Sequence, residues 1–278
     1  MRKATFMIAL AGCMLLATTG CDKLKSRDQQ NQGVLAFKNA KYADAIEHFK
    51  QAIALDPDSA NAQLYLATSY MQQWIPGADS PENNQMMTQA KAGFEKVLEK
   101  SPNDATALAS LASLAFQSAS SLPPDQKLQR LDEAAKWNKR LIEADPKNKE
   151  AYYSLGVIAW SKWYPQLMTA RANLRMRPED PGPIKDKKVK EELLAQYSGT
   201  IDEGIADLQK ALDIDKEYDD AMAYMNLLVR EKADLADNSD DYKKQIEIAD
   251  GWVQKALDTK KAKQARQPAS GGIVNDAK

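Results

Sequence analysis

A repeating pattern of small and apolar positions runs along most of the chain. In its first copy Ala45, Phe49, Ala52 and Pro57 follow one another at steps of four, three and five residues. Steps of three and four match the 3.6-residue turn of an α-helix, and a proline shortly afterwards ends one. The later copies are Ala90, Phe94, Val97 and Pro102; Ala134, Asn138, Leu141 and Pro146; Gly204, Leu208, Ala211 and Lys216; and Ala249, Val253 and Ala256. The pattern predicts five helices, each with one buried face.

We call the last residue of each of the first four copies, Pro57, Pro102, Pro146 and Lys216, its closing position. A small or short side chain lies ten residues after each of them. These side chains are Ala67, Ala112, Gly156 and Asn226, and Gly33 holds the equivalent place in the first copy. Two antiparallel helices approach closely only where a small residue lies at their crossing, with large apolar residues one turn away. Each copy is therefore predicted to be a pair of antiparallel helices.

These residues resemble the tetratricopeptide repeat, TPR. The resemblance is strongest in residues 33–57, with Tyr42 and the ending Ala52-Ile53-Ala54-Leu55-Asp56-Pro57, and it extends over residues 26–258. It implies an all-α fold, a TPR-like α-solenoid of about five helix pairs. The first helices of such pairs line a concave surface that binds peptides or partner domains.

The repeats are longer than a standard TPR. Closing positions at 57, 102, 146 and 216 lie 45, 44 and 70 residues apart, against ~34 in a standard repeat. The surplus falls between the two helices of each pair, and the largest insertion covers residues 161–199. HEAT repeats, of ~40–47 residues, are the competing solenoid, but they lack this spacing. Ser80-Pro81-Glu82 is a helix start that predicts a helix to Lys100, and Thr200 and Ser239 are predicted to begin later second helices. Longer helices, in both members of a pair, account for the smaller insertions better than long loops would.

The beginning of the chain has the pattern of an export signal. Met1-Arg2-Lys3 is basic, and the uncharged run from Ala4 to Ala17 is shorter than the ~20 residues that span a bilayer. Thr18-Thr19-Gly20-Cys21 resembles the lipobox of bacterial lipoproteins, and Cys13 is the alternative modified residue. The resemblance implies a signal peptide at residues 1–20, a tether at 21–25, and an exported protein that is lipid-anchored to a bacterial membrane and faces the periplasm or the cell exterior. An ordinary secretory signal with an unmodified thiol is the other interpretation.

The insertion at 161–199 and one shorter insertion contain candidate partner-binding residues. The candidates are Trp163, Tyr164, Arg171 and Arg175 in the large insertion and Trp74 in the second repeat. Trp160, Trp163, Tyr164 and Leu167 are at helical spacing, which suits either a core stripe or a ligand groove. Pro165 is expected to kink or end that helix.

Charge is unevenly distributed between this insertion and the residues that follow it. Residues 171–190 have a net charge of +4, whereas residues 201–250 have −9. The basic segment could therefore fold back on the acidic last repeats. Alternatively it could contact anionic lipid or an acidic partner.

The amino-acid composition argues against several classes of function. The 278 residues include 38 basic and 39 acidic side chains, for a net charge of −1, so no excess charge favours nucleic acid. One histidine and two cysteines are too few for a His/Cys metal cluster or a Ser/His relay. Residues 259–278 have little periodicity and are predicted to be disordered. We therefore expect no cofactor, no metal, no small-molecule substrate and no catalysis. The expected function is a membrane-tethered protein-interaction scaffold of the cell envelope, and the alternative is a permanent structural subunit of an envelope assembly or homo-oligomer.

Overall fold

The computed structural model describes residues 21–177 and 179–266, and every regular element in those ranges is helical. Ten helices in this part of the chain follow one another as five pairs, as the repeat pattern predicts. They fall into two compact units, one ending at Arg140 and the other beginning at Leu141. The signal-peptide prediction for residues 1–20, the alternative anchor Cys13 and the tail at 267–278 lie outside the described residues.

The first unit contains three helix pairs. Its helices are α1 at 21–38, α2 at Tyr42–Leu55, α3 at Ala60–Gln73, α4 at Pro81–Lys100, α5 at Ala105–Ser118 and α6 at Pro124–Ala144, whose last residues belong to the second unit. Phe49, Phe94 and Leu108 are fully buried. A Cβ atom at Gly33 would lie 2.7 Å from the ring of Phe49. The small residue therefore lets α1 approach α2, as the spacing predicts.

The second unit contains two pairs with longer helices. These are α7 at Lys149–Asn173, α8 at Lys187–Ile214, α9 at Asp219–Lys232 and α10 at Ser239–Arg266. Its core includes Trp163, Leu208 and Leu228, all inaccessible to solvent. A Cβ atom at Gly156 would lie 2.4 Å from Cγ of Leu208, so α7 and α8 also cross at a small residue.

Side-chain caps begin several first helices after the turn that closes the preceding pair. Ser59 accepts a hydrogen bond from the N–H of Ala62 at 3.3 Å, Asp104 begins α5 in the same way, and Asn148 begins α7. Each cap satisfies a backbone donor that the first helical turn leaves free. The turns after Pro57, Pro102 and Pro146 therefore each contain a residue that caps the next helix, whereas the helix after Lys216 begins without a side-chain cap.

The surplus residues of the repeats lie mainly in the second helices. Helix α4 has 20 residues and runs to Lys100 as predicted, with Ser80 accepting from the N–H of Asn83. Helices α3, α5 and α9 have 14 residues each, so the prediction that both helices of a pair lengthen is wrong for these pairs. Thr200 is inside α8 rather than at its start, because Asp186 caps that helix 14 residues earlier.

Three further expectations differ from the structure. The predicted tether at 21–25 is helical, and Ser26 of the same helix donates to the carbonyl of Ala52 at 2.8 Å. The predicted disorder is wrong for residues 259–266, which continue α10. There Lys263 pairs with Asp219, the first residue of α9, and Arg266 pairs with Glu217 in the turn before it. Of the two outcomes expected at Pro165, a kink or a helix end, the helix end does not occur, because α7 continues to Asn173. The lost hydrogen bond is outweighed because Trp163 and Leu167 on either side are buried.

Candidate interaction surface

Five aromatic side chains form a continuous row on helices α7 and α9. Tyr153, Trp160 and Tyr164 are at helical spacing on α7, whereas Tyr224 is on α9 and Tyr218 immediately precedes it. We call these five residues the aromatic surface. The spacings of seven and four residues place the three α7 side chains on one helix face. That face is turned toward α9, the first helix of the next pair.

The rings of the aromatic surface contact one another in sequence. Tyr218 lies 5.1 Å from Tyr153 between ring centroids, and Tyr153 meets Tyr224 edge to face at 5.6 Å. Tyr224 in turn lies 5.7 Å from Trp160, which stacks on Tyr164 at 4.9 Å. Contacts at these distances and angles are favourable beyond the area they bury. They hold the rings as a rigid row.

Most of the aromatic surface remains partly accessible. Tyr218 is buried, with 7% of its surface exposed, while Tyr153, Trp160, Tyr164 and Tyr224 are all intermediate between buried and exposed. Large aromatic side chains that are partly desolvated and held rigid lose little entropy when a partner covers them. This row is therefore suited to anchoring a partner.

Carboxylates border the aromatic surface. The hydroxyl of Tyr218 donates to Oε2 of Glu150, and Nε1–H of Trp160 donates to Oε1 of Glu231 at 2.9 Å. Burial raises the pKa of Glu231 to about 7, although the hydrogen bond from Trp160 acts in the opposite direction. Oε2 of Glu231 is buried without a hydrogen-bond partner. This carboxyl group therefore keeps its proton to a higher pH than an exposed glutamate does.

Burial also raises the pKa values of the tyrosines in the row. The pKa of Tyr153 rises to about 12, chiefly through burial and also through the nearby Asp220 and Glu150. Burial and the Asp220 carboxylate raise the pKa of Tyr224 as well. Both hydroxyl groups stay neutral at physiological pH. Asp220 and Glu150 thus supply the negative charge next to the rings.

Three predicted contact residues are buried and are corrections to the sequence-based assignment. Trp163 has no exposed surface and packs against Tyr197 of α8 at 5.6 Å. Trp74 is 7% exposed, and Arg171 is 3% exposed. Trp163 points toward α8 rather than α9 because it lies about 60° round the helix from Trp160 and about 100° from Tyr164. None of the three side chains is free to contact a partner.

The other two predicted contact residues remain accessible in part. Tyr164 belongs to the aromatic surface. Arg175 is exposed just after α7, with a φ of 58°. The sequence-based assignment omitted Tyr153, Tyr218 and Tyr224. The seven-residue spacing of Tyr153 and Trp160 was a usable signal, but the contribution of α9 could not be inferred without its position.

The basic insertion contacts the acidic last repeat, as one of the two interpretations of the charge pattern predicts. Nη1 of Arg171 pairs with Oδ2 of Asp234 at 2.6 Å, and both side chains are buried. The N–H of Ile184 donates to the carbonyl of Asp234 at 2.9 Å, and Lys190 lies 3.5 Å from Asp237. Arg171 also donates to the carbonyls of Arg177 and Asp180. Arg171 therefore fixes the loop after α7 in place.

Grooves in the first unit have fewer anchoring side chains. A shallow groove of about 460 Å³ between α3 and α5 is lined by small residues apart from Met71. A second groove of about 250 Å³ lies along α4, α5 and α6 and contains Glu133. Burial acts to raise the pKa of Glu133, but hydrogen bonds from Lys91 and Arg130 outweigh it and hold the pKa below the usual value. These three charges satisfy one another.

Neither a metal-binding cluster nor a membrane-spanning helix occurs in the described ranges. Residues 21–177 and 179–266 contain no group of three or more His, Cys, Asp or Glu residues arranged to hold a metal ion. His48 contacts Oε1 of Gln29 through Nδ1 at 2.8 Å. None of the helices described has the length and apolar character needed to cross a bilayer.

The succession of capped helix pairs with small residues at their crossings defines an α-helical repeat protein, a class whose helix surfaces bind other proteins. Family models described as TPR repeat and tetratricopeptide repeat match residues 36–73, 61–104 and 87–149. Residues 36–149 are therefore tetratricopeptide repeats, and the described part of the chain has an all-α, TPR-like fold.

Solved structures of MamA proteins are similar in fold. One is 16% identical, with 89% of this chain and 98% of that chain covered and a TM-score of 0.57. A second is 17% identical over 84% and 96% of the two chains, with a TM-score of 0.53. A MamA protein from Desulfovibrio magneticus RS-1, residue 41 to the end, is 15% identical over 86% and 96%, with a TM-score of 0.51. These identities support a shared fold and nothing more specific. No curated protein sequence matches this chain.

Proposed function

We propose that this protein is a non-catalytic interaction scaffold that binds a partner protein through the aromatic surface of α7 and α9. The observation that carries the proposal is the continuous row from Tyr218 to Tyr164, whose rings contact one another and, apart from Tyr218, are partly accessible. Aromatic side chains of this kind supply much of the binding energy in protein interfaces. TPR repeats are themselves typical of protein-interaction scaffolds.

Site-specific photo-cross-linking in cells tests this proposal. A benzophenone amino acid is placed at Tyr224 in the aromatic surface or, as a control, at Gly199 of α8, where a Cβ atom would meet nothing within 4 Å. We expect a discrete adduct from position 224 that is lost when Trp160 and Tyr164 are changed to alanine. Equal adducts from both positions would contradict the proposal.

We further propose that Cys21 anchors the scaffold to a bacterial membrane, so that it acts in the cell envelope. Cys21 is exposed, and Leu24, three residues later in the same helix, is 71% exposed. Residues three apart share a helix face, so an acyl chain on Cys21 and the side chain of Leu24 can enter the same lipid surface. Because residues 21–25 are helical, the first repeat would be held directly at the membrane.

Metabolic labelling with an alkyne fatty acid tests the anchor. We expect the label to be lost in Cys21→Ser and retained in Cys13→Ser. Loss only in Cys13→Ser would move the anchor to the alternative residue, and retention in both variants would refute lipidation at either cysteine.

In the alternative of a permanent structural subunit, the predicted contact residues Trp163 and Tyr164 would be interface anchors. Trp163 is part of the core, so only Tyr164 could serve in that role. The solution mass of the purified protein distinguishes the two functions in the case of a homo-oligomer: a concentration-independent oligomer would favour the structural subunit.

A further inference from the structure

The charge around the aromatic surface is negative at the end formed by Tyr218, Tyr153 and Tyr224. Glu150 accepts from Tyr218 at one end, and the Asp220 carboxylate is close enough to raise the pKa values of Tyr153, Tyr218 and Tyr224. Asp220 is exposed on the first turn of α9. Two carboxylates therefore stand beside the tyrosine rings at an accessible position.

Three cations near this surface are each already paired with a carboxylate. Lys149 lies 4.8 Å above the ring of Tyr218, but its ammonium group pairs with Asp215 at 2.6 Å. On α9, Arg230 pairs with Asp250 of α10, and Lys232 pairs with Asp202 of α8 at 2.6 Å. These contacts direct both α9 cations away from α7. The rings are left with a surplus of negative charge.

A cationic side chain suits both features. The face of an aromatic ring attracts a cation, and the planar guanidinium group of arginine both stacks on rings and hydrogen-bonds carboxylates. We propose that the aromatic surface binds a basic segment of a partner protein, with arginine side chains against the rings and beside Glu150 and Asp220. This inference rests on the proposed function, since it names the chemistry of the partner that the same surface takes.

The opposite charge pattern in a ligand is disfavoured by the same groups. An acidic peptide would place carboxylates next to Glu150 and Asp220, which costs free energy in a partly desolvated site. A neutral apolar segment could cover the rings but would bring no positive charge to Glu150 and Asp220. Charge complementarity therefore selects the basic segment.

Fluorescence anisotropy with three defined peptides tests the inference on the full chain purified in detergent. The probes are fluorescein-labelled peptides of sequence Gly-Ser-X repeated three times, where X is arginine, citrulline or glutamate. Citrulline keeps the size and planarity of arginine but has no charge. We expect the arginine peptide to bind at least about tenfold more tightly than the citrulline peptide at low salt, and its affinity to fall as salt rises.

Matched variants locate the binding. Changing Glu150→Gln and Asp220→Asn together should weaken the arginine peptide about fivefold, and Tyr224→Ala should weaken it about tenfold. Asp258→Asn on α10 is the control, because this carboxylate is exposed, accepts only from Gln254 and is on a different helix. We expect the control to leave affinity unchanged. Circular dichroism verifies that each variant is folded.

The outcomes separate this inference from the proposed function. Equal binding of the arginine and citrulline peptides, tighter binding of the glutamate peptide, or no binding of any peptide would overturn the basic-segment inference. In each case a position-224 cross-link that depends on Trp160 and Tyr164 would leave the proposed function standing. Self-association of the chain through this surface, with no peptide binding, would also overturn the inference. Loss of the cross-link dependence would overturn the proposed function itself.

Discussion

Replacing Glu231 with glutamine tests the electrostatics beside the aromatic surface. Burial raises the pKa of this carboxyl group from an ordinary value near 4.5 to about 7. Between about pH 4.5 and 7, Glu231 is therefore protonated in the folded protein and ionised in the unfolded chain. The free energy of unfolding contributed by this group must then fall as pH rises through that window and remain constant above it.

The size of the effect follows from the pKa shift. Each pKa unit corresponds to about 1.4 kcal/mol. A small part of the loss in unfolding free energy has already occurred at pH 5, because this pH is above the pKa of the unfolded chain. Between pH 5 and pH 8, ionisation of Glu231 should therefore cost the folded state about 2–3 kcal/mol. Glutamine can still accept from Trp160, and it does not ionise. Any constant cost of burying its amide group is the same at both pH values and cancels in the difference.

Urea denaturation at pH 5 and pH 8, followed by circular dichroism, measures this difference. We expect Glu231→Gln to gain about 2–3 kcal/mol relative to the parent protein on going from pH 5 to pH 8. Glu247→Gln, at an exposed position on α10, is the control and should keep the pH dependence of the parent. A carboxyl-carbon NMR titration of Glu231 provides a direct measurement. Identical pH dependence in Glu231→Gln and the parent, with a carboxyl group that titrates near pH 4.5, would refute the reasoning.

Two further predictions concern packing in the second unit. Arg171→Met leaves Asp234 buried without its 2.6 Å partner and should destabilise the protein by about 3–5 kcal/mol. The double variant that also contains Asp234→Leu should recover most of that loss. Chemical denaturation of the parent and the two variants measures both effects, and additive losses of stability would contradict the argument. Gly156→Ala places a Cβ atom 2.4 Å from Leu208 and should destabilise by about 1–3 kcal/mol. Gly199→Ala, which meets nothing within 4 Å, should stabilise by up to about 1 kcal/mol. Opposite signs in thermal unfolding are expected, and equal effects of the two glycine changes would contradict the packing argument.

The local pattern of the sequence determined the helix pairs. Small residues such as Gly33 and Gly156 must lie at helix crossings because a Cβ atom there would collide with Phe49 or Leu208. Ser80 followed by proline starts a helix, and α4 indeed runs to Lys100. These features depend on residues within one repeat, so spacing and capping rules suffice to find them.

Tertiary packing decided which aromatic and charged side chains are available to a partner. Trp160 and Trp163 are three residues apart on one helix. Trp160 belongs to the aromatic surface because α9 lies beside it, whereas Trp163 belongs to the core because α8 packs against it. Arg171 is buried because Asp234, 63 residues later in the chain, lies beside it. The row from Tyr218 to Tyr164 joins two helices in the same way. A side chain's exposure depends on what packs against it from distant parts of the chain, and helical periodicity records only which residues share a face.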